Sequence, residues 1–347
     1  MTITAQGLNE AIRDFKHVQA DLSDDFLELL ATNIRISQEG KKSDYEDGWS
    51  VANTHLNNMI SKGQDFGTIV RRMINPAAAG GLLDPAITSN CINVDYGEFE
   101  NVPGQRLCAF DGKYRLIDES YVDLRLIDCL KEHLVSDVDC VVEFGSGWGK
   151  NLSLLLMSSG RSDVEYIACE QSASGRRCFE NLFSQVDGVE FSSYPFDFSV
   201  SDLDMVGERK HVLAYTCAAI EQVMFLPRSF MEGLLSLAEK VTIVFLEPIG
   251  WQRSMDHLNL VLSTVLDEYS GKSAPGTYKD NFTFKFRDEH FLDNASAWSI
   301  ASKYNINLLN TLSSYIDEKK ASLLDIKYDI YSINPLNPYS LVVLKKN

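Results

Sequence analysis

The segment Val141-Val142-Glu143-Phe144-Gly145-Ser146-Gly147-Trp148-Gly149-Lys150-Asn151 constrains the fold of this chain more than any other part of it. β-Branched residues lead into glycines at alternate positions, and the glycines lead into an apolar run from Leu152 to Met157. Glycine has no Cβ, so a turn built this way bends sharply and lets a ligand approach the backbone. The helix that follows offers free N–H groups and a positive dipole end to an anionic or polar group. A strand, a glycine turn and a helix in that order are the opening of an α/β unit.

The glycine spacing discriminates between two nucleotide-type cofactors. A dinucleotide fingerprint, G-x-G-x-x-G, would place its third glycine at position 150, which is Lys150. Here the third glycine falls one residue early, at Gly149, and an acid, Glu143, closes the strand two residues before Gly145. This E-x-G-x-G-x-G pattern resembles motif I of the class I S-adenosylmethionine-dependent methyltransferases. The resemblance implies that Gly145, Gly147 and Gly149 lie under the methionine part of S-adenosyl-L-methionine. It also implies that Glu143 orders the turn or reaches the cofactor's amino group, and that Trp148 is a wall beside the cofactor. A turn used only for packing and a dinucleotide oxidoreductase are the competing readings.

From residue 121 onward, strand and helix patterns alternate, which predicts a doubly wound parallel sheet. Strands are expected at Cys140–Phe144, Glu165–Glu170, Val189–Tyr194, His211–Thr216 and Val241–Glu247, with helices between them. Leu324–Ile333 and Tyr339–Leu344 are separated by only five residues, too few for a parallel crossover, so they must pair as an antiparallel hairpin. A seven-stranded, Rossmann-like sheet ending in a β-hairpin resembles the class I methyltransferase fold, over roughly two thirds of the chain. Residues 1–115 have a different texture, with helical spacing at 8–30 and 55–73 and a Gly-, Pro- and Asn-rich stretch between 75 and 104. They are expected to form a helical cap or lid outside the sheet, with an extension that merely packs on the core as the alternative, and the methyltransferase-like domain is expected to span 116–347.

Ligands of parallel sheets sit beyond the carboxyl ends of the strands. Glu170 ends the second strand, where a carboxylate can accept both ribose hydroxyls. Asp197 and Phe198, after the third strand, resemble the residues that accept from the adenine amino group and stack on its ring. Arg115 is a candidate fork for the cofactor carboxylate, with a surface salt bridge as the alternative. Glu221 and Glu247, at the ends of the fourth and fifth strands, and His257 are the candidate acid–base groups. Members of the family often carry His where this chain has Gln222, which only hydrogen-bonds. Two acids converging with Trp251 and Tyr278 would suit a guanidinium or ammonium, and Arg71 could meet an anionic end of the acceptor. For each acid, loop ordering is the plain alternative, and His257 fits an ordinary structural histidine.

The formal charge of −17, with no Lys/Arg cluster longer than a pair, argues against nucleic acid as the acceptor. Seven cysteines form no C-x-x-C pair, which excludes a zinc framework and fits a reducing, cytoplasmic setting. No signal-peptide core or membrane-spanning run is visible. The expected partner is therefore a small polar metabolite, such as arginine or its 2-oxo acid, with no metal and no membrane. A homo-oligomer is left open. Sugar O-methylation is the second reading, and a cofactor-binding protein without catalysis the third.

Overall fold

The computed structural model describes residues 45–74, 93–99, 104–118, 124–198, 203, 207, 209–224, 226–269 and 282–347. The helix expected over 8–30 lies outside them. A helix over 45–61 (α1) is followed by α2 (Phe66–Ile74), so the single helix expected at 55–73 is two, broken at Gly63. Three strands follow, β1 (Asn93–Asp95), β2 (Gln105–Phe110) and β3 (Lys113–Asp118). The α/β alternation then runs α3 (Arg125–His133), β4 (Cys140–Phe144), α4 (Lys150–Ser159), β5 (Glu165–Cys169), α5 (Ala173–Phe183), β6 (Phe191–Tyr194), β7 (His211–Cys217), α6 (Arg228–Ser236) and β8 (Lys240–Glu247). A long excursion holds α7 (Met255–Tyr269), β9 (Thr283–Lys285), α8 (Phe291–Ser302) and α9 (Leu308–Asp317) before β10 (Ala321–Ser332) and β11 (Tyr339–Lys346).

The main sheet has nine strands in the order β3-β2-β10-β11-β8-β7-β4-β5-β6. The five strands from β8 to β6 are parallel, and β11 runs antiparallel to both β8 and β10. The two strands beyond the expected seven are β2 and β3, which come from the region read as a helical cap. They form an antiparallel hairpin, and β2 pairs with β10 through Tyr331 and Phe110. Its two-residue turn, Asp111-Gly112, has positive φ at both positions, 48° and 72°. That is the twist-matched hairpin turn that Asp-Gly favours, and it overrides the cap reading from Gln105 onward.

The burial pattern follows from β-strand alternation. In β4, Cys140, Val142 and Phe144 face one layer, with α6 and α9. Val141 faces the other, with α3, α4 and α5, and with Leu56, Ile69 and Val70 of the two N-terminal helices. These three side chains are fully buried, so α1 and α2 belong to the core. A third cluster, around Tyr114, Phe284, Phe286 and Trp298, joins the β2–β3 hairpin to the excursion after β8. Lys303 takes a left-handed conformation and ends α8, and α9 starts afresh at Leu308.

Candidate functional site

The strand order reverses between β4 and β7, and at that switch point a cavity of about 300 Å³ opens beyond the strand ends. Its floor is the glycine turn. Gly145 has φ 77°, and a Cβ there would lie 2.4 Å from Ala219 Cβ, so the turns after β4 and β7 touch through the missing side chain. Gly147 has φ 55°, and a Cβ there would lie 2.9 Å from the Trp49 ring, which crosses over it from α1. Trp148 is largely buried and lines the cavity.

Glu170 is the best-defined polar group of the cavity. Its Oε2 accepts the Gly147 N–H at 2.9 Å and its Oε1 accepts the Ser172 N–H at 2.8 Å. One backbone bond on each oxygen leaves further acceptor capacity for a ligand. Burial raises its pKa above the ordinary value, opposed by those same N–H bonds. Beside it, Asp197 accepts from the Gln171 side chain at 2.6 Å, and Phe198 packs against Phe196 with ring centroids 4.9 Å apart. All four side chains line the cavity.

Glu143 sits beneath the turn and does not line the cavity. It is almost fully buried and accepts from Asn151 Nδ2 at 2.7 Å, which fixes the first turn of α4. Burial pushes its pKa up to about 8. Asn151 itself reaches the cavity, so the acid shapes the site through a neighbour.

The other end of the cavity differs from the expectation. Glu247 has no solvent exposure and does not line it. Its carboxylate accepts the N–H groups of Ala219, Ile220 and Glu221 at 3.1, 3.1 and 3.2 Å. It holds the short helical turn Ile220–Gln222 directly after Ala218, whose φ of 54° is unfavourable for a residue with a Cβ. Burial pushes the Glu247 pKa up to about 7. Glu247 is thus a positioning residue for the β7 turn, which corrects its placement among acid–base groups.

Glu221 is also buried. It accepts from Asn337 Nδ2 at 2.7 Å and from Gln222 Nε2 at 2.9 Å, and only Gln222 of this pair lines the cavity. Cys217 lines it as well, but burial, then Glu143 and Glu247, keep its thiol protonated.

Four candidates lie elsewhere. Arg115 is exposed on β3 and donates to the neighbouring Tyr114 carbonyl at 2.7 Å, because its strand is at the far sheet edge. His257 bridges Ser254 at 2.7 Å and Asp293 at 2.8 Å, in a separate depression beside His290. Trp251 is buried in the core of the β8 excursion. Arg71 is exposed on α2, next to Thr68. Tyr278 lies outside the described residues.

Sequence reasoning missed Tyr45 and Trp49 from α1, Lys150 and Asn151 at the start of α4, and Tyr339 at the start of β11. The run Gly149-Lys150-Asn151 at a helix start was a signal for two of these. Tyr45 and Tyr339 carried none. Among the described residues, no group of three or more His, Cys, Asp or Glu could hold a metal ion, and no helix is long and apolar enough to cross a membrane.

No protein-family model and no curated protein matches the sequence. Solved structures similar to the chain include the plantazolicin methyltransferase BpumL with bound SAH, at 11% identity over 64% of this chain and 81% of that one, with a TM-score of 0.35. Magnesium protoporphyrin IX methyltransferase from Synechocystis PCC 6803 gives 14%, 64%, 83% and 0.34. Geranyl diphosphate C-methyltransferase from Streptomyces coelicolor A3(2) gives 11%, 67%, 79% and 0.37. At these identities and TM-scores the likeness identifies neither activity nor substrate.

Proposed function

We propose that the chain is an S-adenosylmethionine-dependent methyltransferase acting on a small polar molecule. The observation that carries this reading is the junction of Glu170 with the glycine turn, through the Gly147 N–H, at the wall of a cavity on the switch point. In this reading Glu170 accepts the ribose hydroxyls, Asp197 and Phe198 take the adenine, and the methionine part lies along Gly145–Gly149. Lys150, exposed at the cavity edge, pairs with the cofactor carboxylate in place of Arg115. The cofactor supplies an electrophilic methyl group, and the protein's part is to align an acceptor lone pair with it and keep water away.

The acceptor we favour carries a cationic group, with arginine or its 2-oxo acid as concrete cases. Support comes from Glu221, whose charge stands one hydrogen bond behind the cavity-lining Gln222. A neutral sugar is the second reading, favoured by the uncharged side chains of Gln222, Tyr45 and Tyr339 at that end. The test is calorimetry with S-adenosylhomocysteine and NAD, followed by methyl release over a metabolite panel. Binding of the first ligand alone, with turnover on a small polar molecule, is expected. Binding of NAD alone sinks the reading.

A further inference from the structure

We propose that α1 forms a wall of the binding cavity, and that Glu46 is the positioning residue that seats it. Docking of α1 and occupancy of the cavity then reinforce each other. This rests on the cofactor reading above.

The contacts between α1 and α5 follow one helix face, Glu46, Trp49, Asn53 and Asn57, at spacings of three and four residues. Asn53 and Asn57 accept from Asn181 Nδ2 at 3.1 and 3.2 Å, at the end of α5 remote from the cavity. Glu46 acts at the other end. Its Oε2 accepts from Ser172 Oγ at 2.7 Å and from the Ser174 N–H at 3.2 Å, and its Oε1 accepts from Ser174 Oγ at 2.5 Å. A carboxylate at the first turn of a helix is held by free N–H groups and by the helix dipole.

The same few residues hold the cofactor-side acid. Ser172 donates its N–H to Glu170 and its hydroxyl to Glu46. Trp49, one turn along α1, lies over Gly147 and Gly175. A Cβ on Gly175 would meet Trp49 at 3.2 Å and the Glu170 side chain at 2.9 Å. Tyr45 and Trp49 both line the cavity. A ligand resting on Glu170 and the glycine turn therefore touches side chains from the first turns of α1, the stretch that Glu46 fastens to the start of α5.

Contacts made only in the docked state couple the two equilibria, and such coupling is reciprocal. The ligand must stabilise α1 by the factor by which docking tightens the ligand. A helix that merely packs on α5 obeys no such relation.

The experiment measures hydrogen exchange of the 45–61 amides and the affinity for S-adenosylhomocysteine in wild type, Glu46→Gln, Glu46→Asp and Ser174→Ala. Asn57→Ala serves as the remote control. Glu46→Gln should raise exchange at 45–53 and weaken binding by about 5- to 30-fold, with the unfolding midpoint little changed. Saturating ligand should restore protection, Glu46→Asp should recover much of the affinity, and Asn57→Ala should leave it within about twofold. Where Glu46→Gln folds poorly, Ser174→Ala removes part of the same contact and should shift both readouts in the same sense. Faster exchange with unchanged affinity would overturn the proposal and leave the cofactor reading intact. Failure of wild-type protein to bind the ligand would overturn both.

Discussion

The crests of β5 and β8 each carry a buried glutamate that accepts backbone N–H bonds, yet they serve opposite ends. Glu170 has one backbone partner on each oxygen and lines the cavity. Glu247 has three and no exposure. Position at a strand end is the same for both. What separates them is how many N–H groups converge on the carboxylate and whether any acceptor capacity is left for a ligand. One acid faces the cavity, and the other holds a turn together.

The largest effect that can break this comparison is expected at Glu247. Replacing it with Ala leaves three buried N–H groups without a partner and a cavity beneath the left-handed Ala218. The expected loss is about 3–5 kcal/mol of unfolding free energy, measured by urea denaturation. A loss below about 1 kcal/mol would mean that solvent or a rearranged turn takes over those groups. Replacing Gly147 with Val is expected to abolish cofactor binding. A valine side chain meets the Trp49 ring as well as the left-handed backbone conformation, so α1 should be displaced. Near-UV circular dichroism would record the moved tryptophan, at a stability cost of roughly 1–3 kcal/mol.

Glu170→Ala should cost less in stability and more in function. Loss of hydrogen bonds to a charged group is worth about 1–3 kcal/mol of ligand affinity, read by calorimetry with S-adenosylhomocysteine. Unchanged affinity would move the ribose contact elsewhere in the cavity.

The contrast also explains what the sequence could reveal. Strands β4 to β8 were legible because their apolar runs and glycine turn are local signals, and all five fall within about two residues of the expected bounds. The Asp111-Gly112 turn signal stands in the sequence, but the Gly- and Pro-rich stretch before it led to the cap reading and the hairpin was missed. Tyr45, Trp49 and Tyr339 reach the cavity from the two ends of the chain. Nothing in their neighbours marks that convergence, because it depends on α1 packing along α5 and on β11 inserting beside β8. Glu247, Glu221 and His257 show the converse. Their residue types suit acid–base chemistry, but partners distant in sequence occupy them, Asn337 for Glu221 and Asp293 for His257.

Burial of Glu143 and Glu247 gives the comparison a pH dependence. Their carboxyls are pushed up to about 8 and about 7 from an ordinary 4.5. Between those values the folded protein keeps protons that the unfolded chain has released. Stability therefore falls as pH rises from about 5 to about 8. The urea midpoint should decline across that window, and Glu143→Gln, which cannot ionise, should flatten the decline. A midpoint that rises with pH would show that the N–H and amide donors around these acids outweigh their desolvation.

The smallest effect is expected at Glu221, where the charge acts on the acceptor through Gln222. Glu221→Gln keeps the side-chain shape and one acceptor oxygen for Asn337 but gives up the acceptor for Gln222, so a stability loss of about 1 kcal/mol is expected. What it removes is a negative charge one hydrogen bond behind the cavity wall. A cationic acceptor held partly by that charge should show a KM raised by roughly 3- to 10-fold, with kcat nearly unchanged, because the charge favours bound substrate and transition state alike. A neutral acceptor lacks the Coulomb contribution, and its KM should move by less than about twofold. The ratio of the two shifts measures whether the β7 crest selects charge at all. Equal shifts for both acceptors would reduce Glu221 to an anchor for Gln222 and favour the sugar reading over the cationic one.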